Sequence, residues 1–287
     1  MQLVTDRGAD LLPEQMEGLD IHYTPLRITL EGKTYVSGVD IEPEAFYQML
    51  SATDAFPTTS QPSSGEFAEL YRKLAETDPD ILSLHISAGL SGTVNAARAG
   101  AAMVPEANVT IYDSKTLGSP LGWQVQSAAK GIKAGVPFEQ IIAKLDKMRA
   151  EVDGMYTLNS LKYLIHGGRI SHIKGLMASL LNIKPIIGVD KVTGMYIPYG
   201  QEVTLKRALN KMVDRVAAQY GEKTPLRVQV LHGNNPEAVE YLQERLKSRL
   251  DCTFDGVIHI AVALGAHTGP SMAGMAVGPR ALFDDGM

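Results

Sequence analysis

The order of its hydrophobic patterns constrains this chain most: through the first half, short apolar runs alternate with stretches of helical period. Residues 2–5 read as a short buried strand. Pro43 stands at the first turn of a helix that puts Phe46, Tyr47 and Leu50 on one face, because proline presets a helical φ where no N–H is needed. Ser63-Ser64-Gly65-Glu66 has the spacing of a capping box, and Phe67, Leu70, Tyr71 and Leu74 follow on one helical face. A strand at 81–86, a helix at 93–103, a strand at 109–112 and two helices before Gly154 complete the series. Parallel strands need crossover connections, usually helices, so this βαβα order predicts an α/β, three-layer N-terminal domain with a mainly parallel sheet.

The second half loses that alternation. Lys184–Val189 and residues 195–198 read as a hairpin, followed by a helix at 202–220, a strand at 226–231, a helix at 236–250 and a strand at 254–260. This pattern predicts a two-layer α+β domain with a mixed or antiparallel sheet. The expected division is residues 1–153 and 154–287.

Composition excludes several function classes. Apolar residues make up 45% and charged residues 21%, which is globular rather than disordered. A formal charge of −5 supplies no electrostatic footprint for nucleic acid or an anionic membrane. The longest apolar region, 175–188, is broken by Asn182, Lys184 and Pro185 and is too short to span a bilayer. Met1-Gln2-Leu3-Val4-Thr5-Asp6 lacks a basic, then apolar, leader pattern, and Cys252 stands alone. A soluble cytoplasmic protein is the expectation.

In open α/β sheets, ligands bind beyond the carboxyl ends of the strands. Here those ends read Thr5-Asp6, Ser87-Ala88-Gly89-Leu90-Ser91-Gly92-Thr93 and Asp113-Ser114, and Thr58-Thr59-Ser60-Gln61-Pro62 could fold over the same edge. Hydroxyl side chains recur in them, and hydroxyls donate to a carboxylate or accept from a carboxylic acid. Ser91 stands where a loop enters a helix, an anion-favouring position, although on this segment alone a plain capping role is the better reading. Thr59 reads as a turn residue. Asp6 and Asp113 read as loop or cap carboxylates. His267 lies in the glycine-flanked loop Gly265-Ala266-His267-Thr268-Gly269-Pro270, whereas His85, His232 and His259 fall inside apolar strand patterns and His166 and His172 read as surface residues. Arg169, in Gly167-Gly168-Arg169-Ile170-Ser171, could meet a carboxylate, a phosphate or an acidic partner. The run 176–187 suits either core packing or the lining of an apolar tunnel. Position 93 is Thr, so the serine loop misses the G-x-S-x-G elbow, and no phosphate-cradling glycine loop or metal-binding motif occurs.

Taken in order, Val4-Thr5-Asp6 with Ala9-Asp10-Leu11, Thr59-Ser60-Gln61-Pro62-Ser63, Ile86-Ser87 with Leu90-Ser91-Gly92-Thr93, Asp113-Ser114, Gly167-Gly168-Arg169-Ile170-Ser171, Leu181-Asn182-Ile183-Lys184-Pro185 and the His267 segment resemble the DegV family of bacterial fatty-acid-binding proteins. The resemblance implies a carrier, not an enzyme, that buries a long acyl chain with its carboxyl near the domain junction. It implies that Thr59, Ser91 and His267 hold the head group. No cofactor or metal is implied. Some members deliver the acid to a separate fatty acid kinase for phospholipid synthesis, and Arg169 is the candidate for that hand-over. Two departures stand out: Arg7-Gly8 replaces the usual hydroxyl residues after Thr5-Asp6, and Ser271 replaces a glycine. Two other readings remain open: a serine hydrolase using Ser91 with His267, and a subunit that binds a small polar ketone or sugar for a kinase, as in the related dihydroxyacetone kinase fold.

Overall fold

The structure, a computed structural model, describes residues 1–170 and 183–284. The first half runs β1 (Gln2–Asp6), α1 (Pro13–Met16), β2 (His22–Thr24), β3 (Arg27–Leu30), β4 (Lys33–Val36), α2 (Pro43–Ser51), β5 (Thr58–Ser60), α3 (Ser64–Ala75), β6 (Asp80–His85), α4 (Thr93–Ala101), β7 (Asn108–Asp113), α5 (Gly118–Lys133) and α6 (Phe138–Glu151). The second runs β8 (Asp153–Thr157), α7 (Lys162–His166), β9 (Lys184–Val189), β10 (Tyr196–Glu202), α8 (Leu205–Tyr220), β11 (Leu226–His232), α9 (Pro236–Lys247), β12 (Cys252–His259), α10 (Val262–Thr268) and β13 (Ala273–Pro279).

The first sheet is parallel throughout, in the order β2-β1-β6-β7. Its strands are apolar on both faces because helices cover both. Val4 and Ile81 join Phe67 and Tyr71 of α3 and Ala97 of α4. The alternate residues Leu3, Leu82 and Leu84 join Leu121, Val125 and Ala128 of α5. The α3 capping box forms as expected, with Ser63 Oγ accepting from the Glu66 N–H and the Glu66 carboxylate accepting from the Ser63 N–H.

The second sheet has the order β10-β9-β8-β13-β11-β12 and is antiparallel except between β11 and β12. Met155, Ile186, Val228, Val230 and Met275 face Leu209, Met212 and Val213 of α8 and Leu242 of α9. The opposite face meets the first half: Trp123 of α5 and Met148 of α6 pack with Ala276 of β13. Helix α5 therefore lies between the two sheets, which explains why Gly118 through Ala129 are all buried. A polar-looking stretch such as Gln124, Gln126 and Ser127 is buried because two sheets enclose it.

Three features escape sequence periodicity. A small antiparallel sheet, β4-β3-β5, incorporates Thr59, which pairs with Ile28 as a strand residue instead of sitting in a turn. Strand β8 begins the second sheet. Strand β13 is central, yet Gly274, Gly278 and Pro279 weaken its strand signature. Gly274 is small because the backbone of β8 lies close: an added Cβ would come within 2.5 Å of the Met155 carbonyl oxygen. No helix among the described residues is long and apolar enough to cross a membrane.

Candidate ligand-binding site

The parallel sheet ends in a buried polar knot that fixes where the next loop starts. Asp6 is fully buried at the end of β1, and one carboxylate oxygen accepts the Ile86 N–H at 2.9 Å and faces His85 Nδ1 at 3.0 Å. Its other oxygen accepts the Gly8 N–H at 2.8 Å. His85 Nε2 lies 2.6 Å from Ser83 Oγ, which lies 2.7 Å from the Tyr71 hydroxyl, so every member of the chain has a partner. All of them are buried, and the chain serves to lock β1 to β6. Asp6 is thus a strand-end tie instead of a loop carboxylate. The next residue, Ser87, donates to the Gly194 carbonyl at 2.8 Å, so the turn between β9 and β10 clasps this loop from the second sheet.

Ser91 follows at the entrance to α4, where Gly92 is the N-cap. Its Oγ accepts the Thr93 N–H at 3.3 Å and lies 2.8 Å from Thr93 Oγ1. Thr59 faces His267 across the gap between β5 and α10, with Thr59 Oγ1 2.8 Å from His267 Nε2. His267 is not on a loop: it stands in the last turn of α10. The flanking glycines mislead because they answer to steric closeness. An added Cβ at Gly265 would lie 2.1 Å from the Tyr47 hydroxyl, and Gly269 ends the helix at φ +75° against the Tyr163 ring.

The His267 ring is wedged from behind by Gly167, where a Cβ would lie 2.1 Å from Nδ1. Nδ1 is buried without a hydrogen-bond partner among the described residues. Burial, reinforced by the nearby Arg169 guanidinium, pushes the imidazole down to about 4, so the ring is neutral at neutral pH. Arg169 donates from Nη1 to the Gly167 carbonyl at 2.6 Å and from Nε to the Leu90 carbonyl at 3.4 Å. It therefore grips the backbone beside both His267 and Ser91.

Thr59, Ser91, Arg169 and His267 line one small cavity of about 40 Å³, together with Gln61, Ile86, Leu90 and Leu264. Leu264 also borders a second, apolar cavity of about 20 Å³ walled by Leu117, Tyr156, Leu158, Leu164, Ile187, Tyr196, Ile260 and Met272, with Asp10 at its edge. Asp10 carries no role in the sequence reading. Its signal was a carboxylate between Ala9 and Leu11, and only its burial shows that it faces the interior. Residues 171–182, including His172 and most of the apolar run, lie outside the described residues.

The hydrolase arrangement does not assemble. Among the described residues, Ser91 is bonded to Thr93 and not to His267, and no carboxylate orients the ring at Nδ1. The other histidines have structural surroundings: His166 stacks on Phe56 at 4.3 Å, and His232 and His259 lie against each other at 4.2 Å. Among the described residues, no group of three or more His, Cys, Asp or Glu side chains could hold a metal ion.

Comparison with known proteins gives a consistent result. The family model described as "Uncharacterised protein, DegV family" matches residues 1–280. A DegV domain-containing protein of Deinococcus radiodurans is 33% identical over 279 residues, covering 97% of this chain and 96% of the relative. A Staphylococcus aureus relative is 34% identical over 275 residues, covering 96% and 97%. Among solved structures, a DegV family protein from Thermus thermophilus described for fatty acid binding superimposes with a TM-score of 0.88 at 31% identity, covering 97% of this chain and 99% of that one. DegV of Bacillus subtilis, named as a fatty acid binding protein, gives 0.86 at 29% identity, covering 97% and 98%. A stearic acid-binding protein from Eubacterium ventriosum gives 0.86 at 27% identity, covering 98% and 99%.

Proposed function

The chain belongs to the DegV family, and we propose that it is a cytoplasmic carrier of one long-chain, palmitate-like fatty acid, not an enzyme acting alone. In this reading the chain divides into residues 1–153 and 154–287, and the acid lies at their junction. Its carboxylate sits among Thr59, Ser91 and His267, and its tail passes Leu264 towards the apolar cavity, whose walls must part to admit it, since that space holds only a water or two. The observation that carries the proposal is the adjacency of a hydroxyl- and histidine-lined cavity to an apolar one across a single side chain, Leu264.

The energetics favour such a ligand. Burying about fourteen methylenes at ~0.8 kcal/mol each gives a gross gain on the order of 11 kcal/mol. Ordering the tail subtracts several kcal/mol. Desolvating a carboxylate is costly unless two or three hydrogen bonds replace its water. With Nε2–H of the neutral His267 tautomer donating to Thr59 Oγ1, the hydroxyls of Thr59 and Ser91 are left to donate to it. The Arg169 guanidinium adds positive charge to the same cavity.

The same arginine is the candidate for hand-over to a separate fatty acid kinase feeding phospholipid synthesis, where it would dock the kinase or steady a transferring phosphoryl group. The test of head-group placement is the double variant Thr59→Val, Ser91→Ala. It should fold and bind palmitate at least tenfold more weakly, since each lost hydrogen bond is worth roughly 1–3 kcal/mol when its partner stays unsatisfied. Unchanged affinity by calorimetry would move the carboxylate elsewhere.

A further inference from the structure

The apolar cavity contains a polar feature that carboxylate binding leaves without a task. Asp10 is 3% exposed. Its Oδ1 accepts the Ala261 N–H at 2.8 Å at the start of α10, whereas Oδ2 has no hydrogen-bond partner among the described residues. That free oxygen borders the space left by Gly118. A Cβ at Gly118 would lie 3.2 Å from Asp10 Oδ2, 3.5 Å from the Tyr156 hydroxyl and 3.9 Å from Leu264 Cδ1. Gly118, Tyr156 and Leu264 all belong to the wall of the apolar cavity. Among the described residues, the Tyr156 hydroxyl itself has only a long contact, 3.4 Å, to the Leu117 carbonyl. Two polar groups thus approach the position of a Gly118 Cβ, in a wall that also holds Tyr196 and Thr268 and is otherwise made of side chains such as Leu158, Ile187 and Met272.

An unmatched carboxyl oxygen in such a wall is costly unless a partner arrives with the ligand. Resting on the carrier reading, we propose that Asp10 and Tyr156 form a second polar station, which selects acyl chains bearing a hydroxyl part-way along the tail. Such a hydroxyl has one donor and two acceptor sites, enough to bond both groups. Burial raises the Asp10 carboxyl to about 7, so its protonated form, a donor, is present near neutral pH. The position along the chain follows from α10. Asp10 holds Ala261 at the start of the helix and His267 stands in its last turn, roughly 9 Å further along the axis, which corresponds to mid-chain instead of the carbons beside the carboxylate. A hydrogen-bonding site built for a hydroxyl discriminates against analogues that lack it.

The experiment uses the full chain freed of endogenous lipid and measures calorimetric affinities for stearic acid and for monohydroxystearic acids. The hydroxyl is placed either at mid-chain or beside the carboxyl. The mid-chain hydroxy acid should bind about tenfold more tightly than stearic acid, and the near-carboxyl isomer should show no such gain. Tyr156→Phe removes one partner, and Asp10→Ala removes the other together with the acceptor of the Ala261 N–H. In each, the ratio of hydroxy-acid to stearic-acid affinity should fall towards one. Equal binding of both acids by the wild-type chain overturns the selectivity and leaves the carrier reading standing. Failure of every long-chain acid to bind overturns both.

Discussion

Gly167→Ala should damage the ligand site while leaving the fold intact. At φ −73° and ψ −4° the Gly167 backbone already suits alanine. The change by itself would therefore stabilise the chain by ~0.4–1 kcal/mol, through the lower freedom of the unfolded state. The added Cβ, however, would lie 2.1 Å from His267 Nδ1, whereas ordinary contact begins near 3.4 Å. The buried ring must shift by roughly 1.3 Å, which a 2.8 Å bond to Thr59 cannot absorb without being compressed or broken. Losing that arrangement should cost roughly 1–3 kcal/mol of head-group binding, a five- to hundredfold rise in Kd. Gly168 supplies the matched control. It has φ +74° and open space around its Cβ position, so Gly168→Ala should lose about 1 kcal/mol of stability and keep its affinity. Calorimetric titration with palmitate and a thermal melt of both variants decide the matter. A folded Gly167→Ala protein with wild-type affinity would refute the argument that this glycine seats the histidine.

Further outcomes follow from the same geometry. Because His267 is held neutral down to about 4, the unfolded chain takes up a proton first as pH falls below 6.5, and stability drains away between pH 6.5 and about 4 by up to ~1.4 kcal/mol per pH unit. His267→Gln should flatten that part of the pH–stability curve. Asp10 acts with the opposite sign. Its raised carboxyl gives stability that is full below 3.8 and is lost as pH rises through about 7, a slope that Asp10→Asn removes. Arg169→Ala should retain the acid but slow acyl phosphate formation by a cognate fatty acid kinase with ATP and magnesium. Loss of the acid would assign Arg169 to head-group binding, and an unchanged rate would remove the hand-over role.

Much of the first half of the chain was legible because its signals are local. The capping box at Ser63, the proline at the start of α2 and the alternation of Ile81, Leu82, Ser83 and Leu84 between two covered faces each carry their own physical cause. Strand β13 and helix α10 were not legible, because their glycines answer to neighbours distant in sequence: Met155 beside Gly274, and Tyr47 and Tyr163 around His267. Thr59, Ser91 and His267 were joined into one head-group site only through family resemblance, since each also reads as a turn, cap or loop residue. The structure brings Thr59 and His267 into a hydrogen bond and sets Ser91 on the same cavity. It adds Arg169 to that cavity, a placement its glycine-flanked sequence did not reveal. Asp10 was invisible as an interior group because burial depends on α5 and α10 closing over it.

The most direct test of the carrier reading is mass spectrometry of the chain purified from bacteria, recorded under native conditions and again on an organic extract. The account predicts about one tightly held C14–C18 acid per chain, released on denaturation, because a buried tail of that length resists transfer to water. A spectrum of ligand-free protein alone, with no complex after palmitate is added, would contradict it.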